Sequence, residues 1–129
     1  MTLETLDQWL GREFHPDYWA DDASIYAGEL IDQLEAGEWQ QLVLRWQAQP
    51  PGWQRNLADA LLGSTQPDRD DLLAAMLRAP DATAARNAAN SLIASRAWRP
   101  DQQQRADLEA LRDRLPEHQR EIVQELIDR

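Results

Sequence analysis

Among the side chains that could do chemistry, carboxylates are the ones that cluster in this sequence. Two clusters are prominent, one of Asp17, Asp21 and Asp22 and the other of Asp68, Asp70 and Asp71. Closely spaced carboxylates can bind a divalent cation, but neither cluster has the glycine turn and closing Glu of a calcium loop. Both clusters lie where helices are expected to begin, so helix capping and the helix dipole account for them. We therefore expect no metal and no other cofactor.

Catalytic groups are otherwise sparse. The two histidines, His15 and His118, have no Ser or paired carboxylate at a recognised spacing. The chain contains no Cys, which excludes thiolate nucleophiles, zinc–thiolate sites and disulfides. Its five Gly do not cluster into a phosphate-binding loop. The sequence predicts a protein that is not an enzyme.

Charge provides the strongest indication of function. The net charge is −10, and the first 38 residues contain ten acids against Arg12 alone. Such a surface disfavours nucleic acid and suits a basic protein. Aromatic residues are interleaved with these acids, which is typical of specific protein interfaces. The alternative is that the acids form an ordinary solvated surface. The expected partner-binding residues are Asp17, Tyr18, Asp21, Asp22, Tyr26, Glu29 and Asp32.

Proline and glycine divide the chain into segments of helix length, and no strand is expected. A short helix is predicted at 2–10, a structured loop at 11–20, and a helix from Asp21 or Asp22 to Ala36. Further helices are predicted at about 38–48, 52–62, 67–78, 81–97, 100–114 and 116–128. Trp39, Trp46 and Trp53 recur every seven residues and are expected in the core, with Trp9 and Trp19 more exposed.

A repeated pattern of one Arg followed by apolar residues at +2, +3 and +6 begins at Arg55, Arg86 and Arg120. An apolar anchor lies nine residues before each Arg, at Trp46, Leu77 and Leu111. This periodicity is typical of stacked helical hairpins. Positions 0, +1 and +4 are polar and lie on another face of each helix, so stacking should align them into a ridge. In the first two repeats the ridge residues are Arg55, Asn56, Asp59, Arg86, Asn87 and Asn90.

The segment 81–92 resembles the second helix of a HEAT or HEAT-like repeat. It has Asp81 at the turn, then Arg86, the pair Ala88 and Ala89, and Leu92. The resemblance implies an α-solenoid that binds proteins or peptides along one face. The predicted fold is all-α, a single domain 1–129 in which an acidic, aromatic helical cap (1–37) precedes a HEAT-like solenoid of three helical hairpins (38–129).

In size, acidity and helical layout the chain is also similar to the small acidic immunity proteins of bacterial toxin systems. Several of these are single helical domains that cap a basic nuclease or other effector. We therefore expect a non-catalytic immunity or inhibitor protein that neutralises a basic toxin. A small adaptor or assembly chaperone binding along the ridge is the alternative, and an enzyme ranks third. The sequence has no apolar run long enough to span a membrane, so we expect a soluble cytoplasmic protein.

Overall fold

The computed structural model describes residues 2–129, and every regular element in that range is helical. The prediction of an all-α protein is confirmed. The α-helices are α1 (Thr2–Leu10), α2 (Pro16–Tyr18), α3 (Ser24–Asp32), α4 (Ala36–Arg45), α5 (Pro51–Ala60), α6 (Arg69–Met76), α7 (Ala82–Ile93), α8 (Gln102–Arg114) and α9 (Arg120–Ile127). A π-helical segment, Trp19–Ala23, joins α2 to α3. Short 3-10 turns extend α4 and α5 and precede α9.

Helix starts follow from local sequence. Pro51 begins α5, where its missing N–H has no helical acceptor to lose. The Asp81 carboxylate accepts a hydrogen bond from the Ala84 N–H at 2.9 Å and caps α7. Asp101 and Gln104 form a reciprocal capping box at the start of α8. The predicted boundaries from α4 onward agree with the structure to within a few residues, except that α7 ends at Ile93.

The boundary before α3 was predicted wrongly. The helix begins at Pro16, and His15 caps it by accepting the Asp17 N–H at 3.2 Å. Asp21 and Asp22 therefore lie inside the π-helical segment and cap nothing. The aromatic composition of this stretch suggested a loop, but Pro at the first helical position favours an earlier start. The helix also ends sooner than predicted, at Asp32.

The helices pack in pairs, with α1 against α3, α6 against α7 and α8 against α9. The later members of these pairs, together with α5, contact one another in the order α3, α5, α7 and α9 and form a continuous row. Small residues allow this close approach. A Cβ added to Gly28 in α3 would lie 3.3 Å from the Ala60 carbonyl oxygen in α5. Ala88 and Ala89 of α7 are completely buried.

One hydrophobic cluster extends from Leu3 to Ile127 and includes both the cap and the later helices. The predicted apolar positions of the repeats and their three anchors are buried, except for Ile122, which is partly buried. Trp39, Trp46 and Trp53 are buried as well, which confirms their predicted core role. The apolar side of the helical run through α3 is also buried; it comprises Ala23, Ala27, Leu30, Ile31 and Leu34.

Glu38 joins two helix starts. Its carboxylate accepts the Leu3 N–H of α1 at 2.9 Å and the Glu35 N–H before α4 at 3.2 Å. These backbone donors hold the pKa of Glu38 below its ordinary value, the Leu3 N–H having the larger effect. Arg45 adds a second link between the same helices through a 2.7 Å contact with Asp7. The cap is therefore fixed to α4 by polar contacts as well as by the shared core.

The burial of α7 generates a stability prediction. Replacing Ala88 with Asp places an unpaired charge in a fully buried position, so we expect a loss on the order of 3–5 kcal/mol in the free energy of unfolding. The control is Ala106→Asp on the exposed face of α8, where helix propensity alone predicts a loss under about 1 kcal/mol. Chemical denaturation measures both. Similar values for the two variants would contradict the packing described for α7.

Candidate protein-binding site

The acidic and aromatic residues of the first third are positioned by the π-helical segment. A π-helical turn accommodates an extra residue and so changes the direction in which side chains leave the helix. The Trp19 indole N–H donates to the Asp59 carboxylate of α5 at 3.1 Å, and the Trp9 indole N–H donates to the Ala23 carbonyl at 3.0 Å. Both Trp are partly buried, so the expectation that they are the more exposed pair is only partly met.

Contacts between aromatic rings also position the residues of this region. Trp9 packs edge to face against Tyr26, with ring centroids 4.8 Å apart, and lies 5.0 Å from Phe14. Phe14 in turn contacts Tyr18 at 5.9 Å and Trp19 at 5.4 Å. Each such pair contributes roughly 0.5–1.5 kcal/mol beyond its burial. The rings of Tyr18 and Tyr26 are therefore held in place although 48% and 41% of their surfaces are exposed.

We define the cap face as the exposed side of the Pro16–Asp32 helical run, which comprises Asp17, Tyr18, Asp21, Asp22, Ile25, Tyr26 and Glu29. Ile25 is 58% exposed, the largest value among the apolar residues of this face. Asp21, Asp22 and Glu29 form no ion pair with any residue in the described range 2–129. The cap face thus combines exposed apolar surface with three carboxylates that have no counter-charge within the described part of the chain.

Asp32 has a different role from the other predicted residues of this region. Its carboxylate accepts the Ser64 hydroxyl at 2.7 Å and the Thr65 N–H at 2.8 Å. It thereby ties the end of α3 to the turn that follows α5. A partner would have to compete with these two bonds, so we exclude Asp32 from the cap face. Sequence spacing could not reveal this contact because the bonded residues are more than 30 positions apart.

Arg55, predicted to lie on an open ridge, is engaged within the fold. Its guanidinium makes a two-bond contact with the Asp81 carboxylate, at 2.7 and 2.8 Å. Asp81 also caps α7, so one carboxylate links α5 to the following helix pair. Arg55 is the main cause of a lowered Asp81 pKa, and the pairing raises the pKa of Arg55 itself.

The asparagines of the predicted ridge also serve packing. Asn87 is only 9% exposed, and its side-chain amide donates to the Arg55 carbonyl at 3.4 Å. Asn56 is partly buried and donates to the Leu10 carbonyl at 2.9 Å. The prediction of an exposed ridge is therefore wrong at Asn87, which lies at the junction of α5 and α7. Asn90 remains exposed and Arg86 partly exposed.

The electrostatics of Asp59, another ridge residue, are altered by the fold. Burial raises its pKa above the ordinary value, while the Trp19 N–H and the positive charge of Arg86 act in the opposite direction. Ionisation of the Asp59 carboxylate at this position therefore opposes folding. Its visible role is to hold Trp19 beneath the cap face.

Metal and membrane sites are not evident in the described residues. Between Thr2 and Arg129, no group of three or more His, Asp or Glu side chains is arranged to hold a metal ion. Within the same range, no helix has both the length and the apolar composition required to cross a lipid bilayer. Comparisons with protein-family models, curated proteins and solved structures found no significant match.

The Arg55–Asp81 contact predicts unequal effects of its two truncations. Arg55→Ala removes only a half-exposed ion pair and should lower the free energy of unfolding by about 0.2–1 kcal/mol. Asp81→Ala also removes the cap of α7 and should lower the free energy of unfolding by about 1 kcal/mol more than Arg55→Ala does. Because the folded-state pKa of Asp81 is depressed, its contribution is present above pH 3.8 and is lost as pH falls through that depressed value. Equal losses measured by denaturation at pH 7 would contradict the double role of Asp81.

Asp59→Asn should stabilise the protein at neutral pH. The raised pKa means that ionised Asp59 opposes folding above its folded-state pKa, and this penalty disappears as pH falls toward 3.8. The amide oxygen can still accept the Trp19 N–H. We therefore expect a higher midpoint of denaturation at pH 7 and a smaller difference from the wild type in acid. Glu109→Gln, at an exposed position with no ion-pair partner among the described residues, provides the control and should show no such trend. A destabilised Asp59→Asn at pH 7 would refute this account.

Proposed function

We propose that this chain is a non-catalytic binding domain that docks a basic protein through the cap face. The observation that carries the proposal is one helical surface on which Asp21, Asp22 and Glu29, unpaired among residues 2–129, lie with exposed Ile25 and partly exposed aromatic rings. Apolar and aromatic groups supply the affinity of protein interfaces, and surrounding charges select the partner and increase the association rate. The cap face has both kinds of group.

Long-range electrostatics favour the same assignment. Most of the net charge of −10 comes from the first 38 residues, which contain one Arg. Some of those acids are neutralised or bonded internally, such as Asp7 by Arg45, but Asp21, Asp22 and Glu29 of the cap face form no ion pair among residues 2–129. Their field extends into solvent and attracts cationic surfaces over roughly a Debye length of 8 Å at physiological salt.

Preorganisation is the third argument. The aromatic cluster around Phe14 and the two indole hydrogen bonds hold the π-helical segment in one conformation. A partner then meets side chains that are already ordered, so less conformational entropy is lost on binding. π-helical turns occur frequently at functional sites, which agrees with placing the interface here.

The most concrete form of this function is immunity against a basic toxin. Enzymes that cleave nucleic acids have cationic clefts that attract phosphate. A surface of carboxylates can occupy such a cleft and exclude the substrate, and no reaction is required of the inhibitor. We further propose that the scaffold is a HEAT-like solenoid. The contact order of α3, α5, α7 and α9 and the Asp81 link between helix pairs support this arrangement.

A small adaptor or assembly chaperone is the second candidate. It would use the part of the ridge that remains accessible, namely Arg86 and Asn90. This surface is smaller than the sequence predicts, because the other ridge residues are engaged within the fold; they are Arg55, Asn56, Asp59 and Asn87. The cap face is therefore the better supported site.

The experiment compares two charge-reversed variants of equal net charge. Asp22→Arg/Glu29→Arg alters the cap face, whereas Glu109→Arg/Glu125→Arg alters exposed acids of α8 and α9. The partner is first identified by affinity purification from the native cell with mass spectrometry, and its binding is then measured by surface plasmon resonance. We expect the cap variant to weaken binding by a hundredfold or so and the control by less than about threefold. Raising the salt concentration should slow association of the wild type.

Ile25→Ser tests the apolar part of the same face without changing charge. It should weaken binding by about tenfold while the melting temperature stays near that of the wild type, because Ile25 lies outside the core. Full affinity in both cap variants would reject the cap face. Loss of affinity in Asn90→Ala or Arg86→Ala instead would favour the adaptor function. A partner that carries no basic surface would contradict the immunity proposal.

A further inference from the structure

A groove of about 720 Å³ lies between α4 and α6, away from the cap face. Its volume is within the range of roughly 300–1,000 Å³ that is usual for binding sites. The α4 side contributes Trp39, Gln40, Val43 and Leu44, and the opposite side contributes Pro67, Asp68, Asp71, Leu72 and Ala75. Leu34, Ala36 and Gln66 complete the lining. None of these residues belongs to the cap face.

Exposed aliphatic side chains distinguish this groove from an ordinary gap between helices. Leu44 is 83% exposed and Val43 is 40% exposed, although both belong to a helix whose other side is in the core. They continue into an apolar lining that includes Trp39 and Leu72. Single exposed aliphatic residues are common, but a lined apolar concavity marks a binding surface.

The charges of the groove indicate what would bind there. Asp68 and Asp71 are exposed at its edge, and neither forms an ion pair with another described residue. No arginine of residues 2–129 lines the groove. Cationic side chains on an apolar ligand would therefore be complementary. A second copy of this chain is poorly suited, because it carries the same net charge of −10 and would be repelled.

We propose that this groove binds an amphipathic, basic α-helix supplied by another protein. Aliphatic side chains at positions i, i+3, i+4 and i+7 of that helix enter between α4 and α6. Arg or Lys residues on its flank face Asp68 and Asp71. A helix fits because two helices form the walls, and a third can place its side-chain ridge between them. This second surface is independent of the cap face, so the domain can hold two segments at once.

The test uses a fluorescein-labelled peptide of about five helical turns, with Leu at the i, i+3, i+4 and i+7 positions and Arg on the flanks. Binding is measured by fluorescence anisotropy to the full chain and to two variants. Leu44→Asp should weaken binding at least tenfold, because it places a charge in the apolar groove. Leu62→Asp is the matched control, since Leu62 is also an exposed leucine (45%) but lies outside the groove. It should change affinity by less than about twofold.

A second comparison tests the charge complementarity. Asp68→Arg/Asp71→Arg should weaken binding of the Arg-flanked peptide and strengthen binding of a peptide with Glu at the same flanking positions. Circular dichroism verifies that each variant remains folded, which is expected because the replaced side chains are exposed. An effect of the same sign on both peptides would overturn the electrostatic part of the proposal.

Several results would overturn the groove as the binding site. One is undetectable binding of the peptide to the wild type. Another is an equal loss of peptide affinity in Leu44→Asp and Leu62→Asp. The third is loss of peptide binding in Asp22→Arg/Glu29→Arg. The last result would place the peptide on the cap face, in agreement with the proposed function. Sedimentation that shows a dimer disrupted by Leu44→Asp would assign the groove to a second copy of the chain. Failure of the cap-face experiment alone leaves the groove proposal intact.

Discussion

Close packing of small residues along α3, α5 and α7 is the constraint on which the structure depends. Gly28 of α3 lies so near Ala60 of α5 that even a methyl group would crowd the carbonyl at 3.3 Å. Ala88 and Ala89 of α7 are fully buried, and their small side chains likewise allow neighbouring helices to approach closely. Contact at this range strengthens dispersion forces and removes water from the helix faces. The larger apolar residues then fill the space between this row and the earlier helix of each pair.

Polar groups at these junctions must be satisfied because water is excluded from them. The Ser91 hydroxyl donates to the Ala58 carbonyl at 2.7 Å, and Asn87 donates to the Arg55 carbonyl. The Arg55–Asp81 contact then closes the exposed edge of the same junction. A buried polar group without a partner costs about 1–3 kcal/mol, so these residues are fixed by packing and cannot readily serve a partner. The accessible ridge is consequently smaller than the polar pattern alone implies.

Two surfaces retain groups that the fold does not use. On the cap face, Asp21, Asp22 and Glu29 have no counter-charge in the part of the chain that the structure describes, and Ile25 is exposed on the same face. In the groove between α4 and α6, Leu44 and Val43 are exposed within an apolar lining bordered by Asp68 and Asp71. Both surfaces combine apolar area with negative charge, so both favour cationic partners. They differ in shape, since one is an exposed helix side and the other is a concavity.

The sequence by itself determined the all-helical class, most helix boundaries and the buried stripes. Proline positions, capping residues and the 3.6-residue period are local properties, and they act before any tertiary contact forms. Only the tertiary structure decided the roles of Asp32, Asn87 and Arg55, because each is set by a partner more than 25 positions away. The π-helical segment was also beyond local prediction, since Trp9 and Trp19 stabilise it through contacts with Ala23 and Asp59. The groove likewise arises from the relative placement of α4 and α6, which no residue spacing encodes.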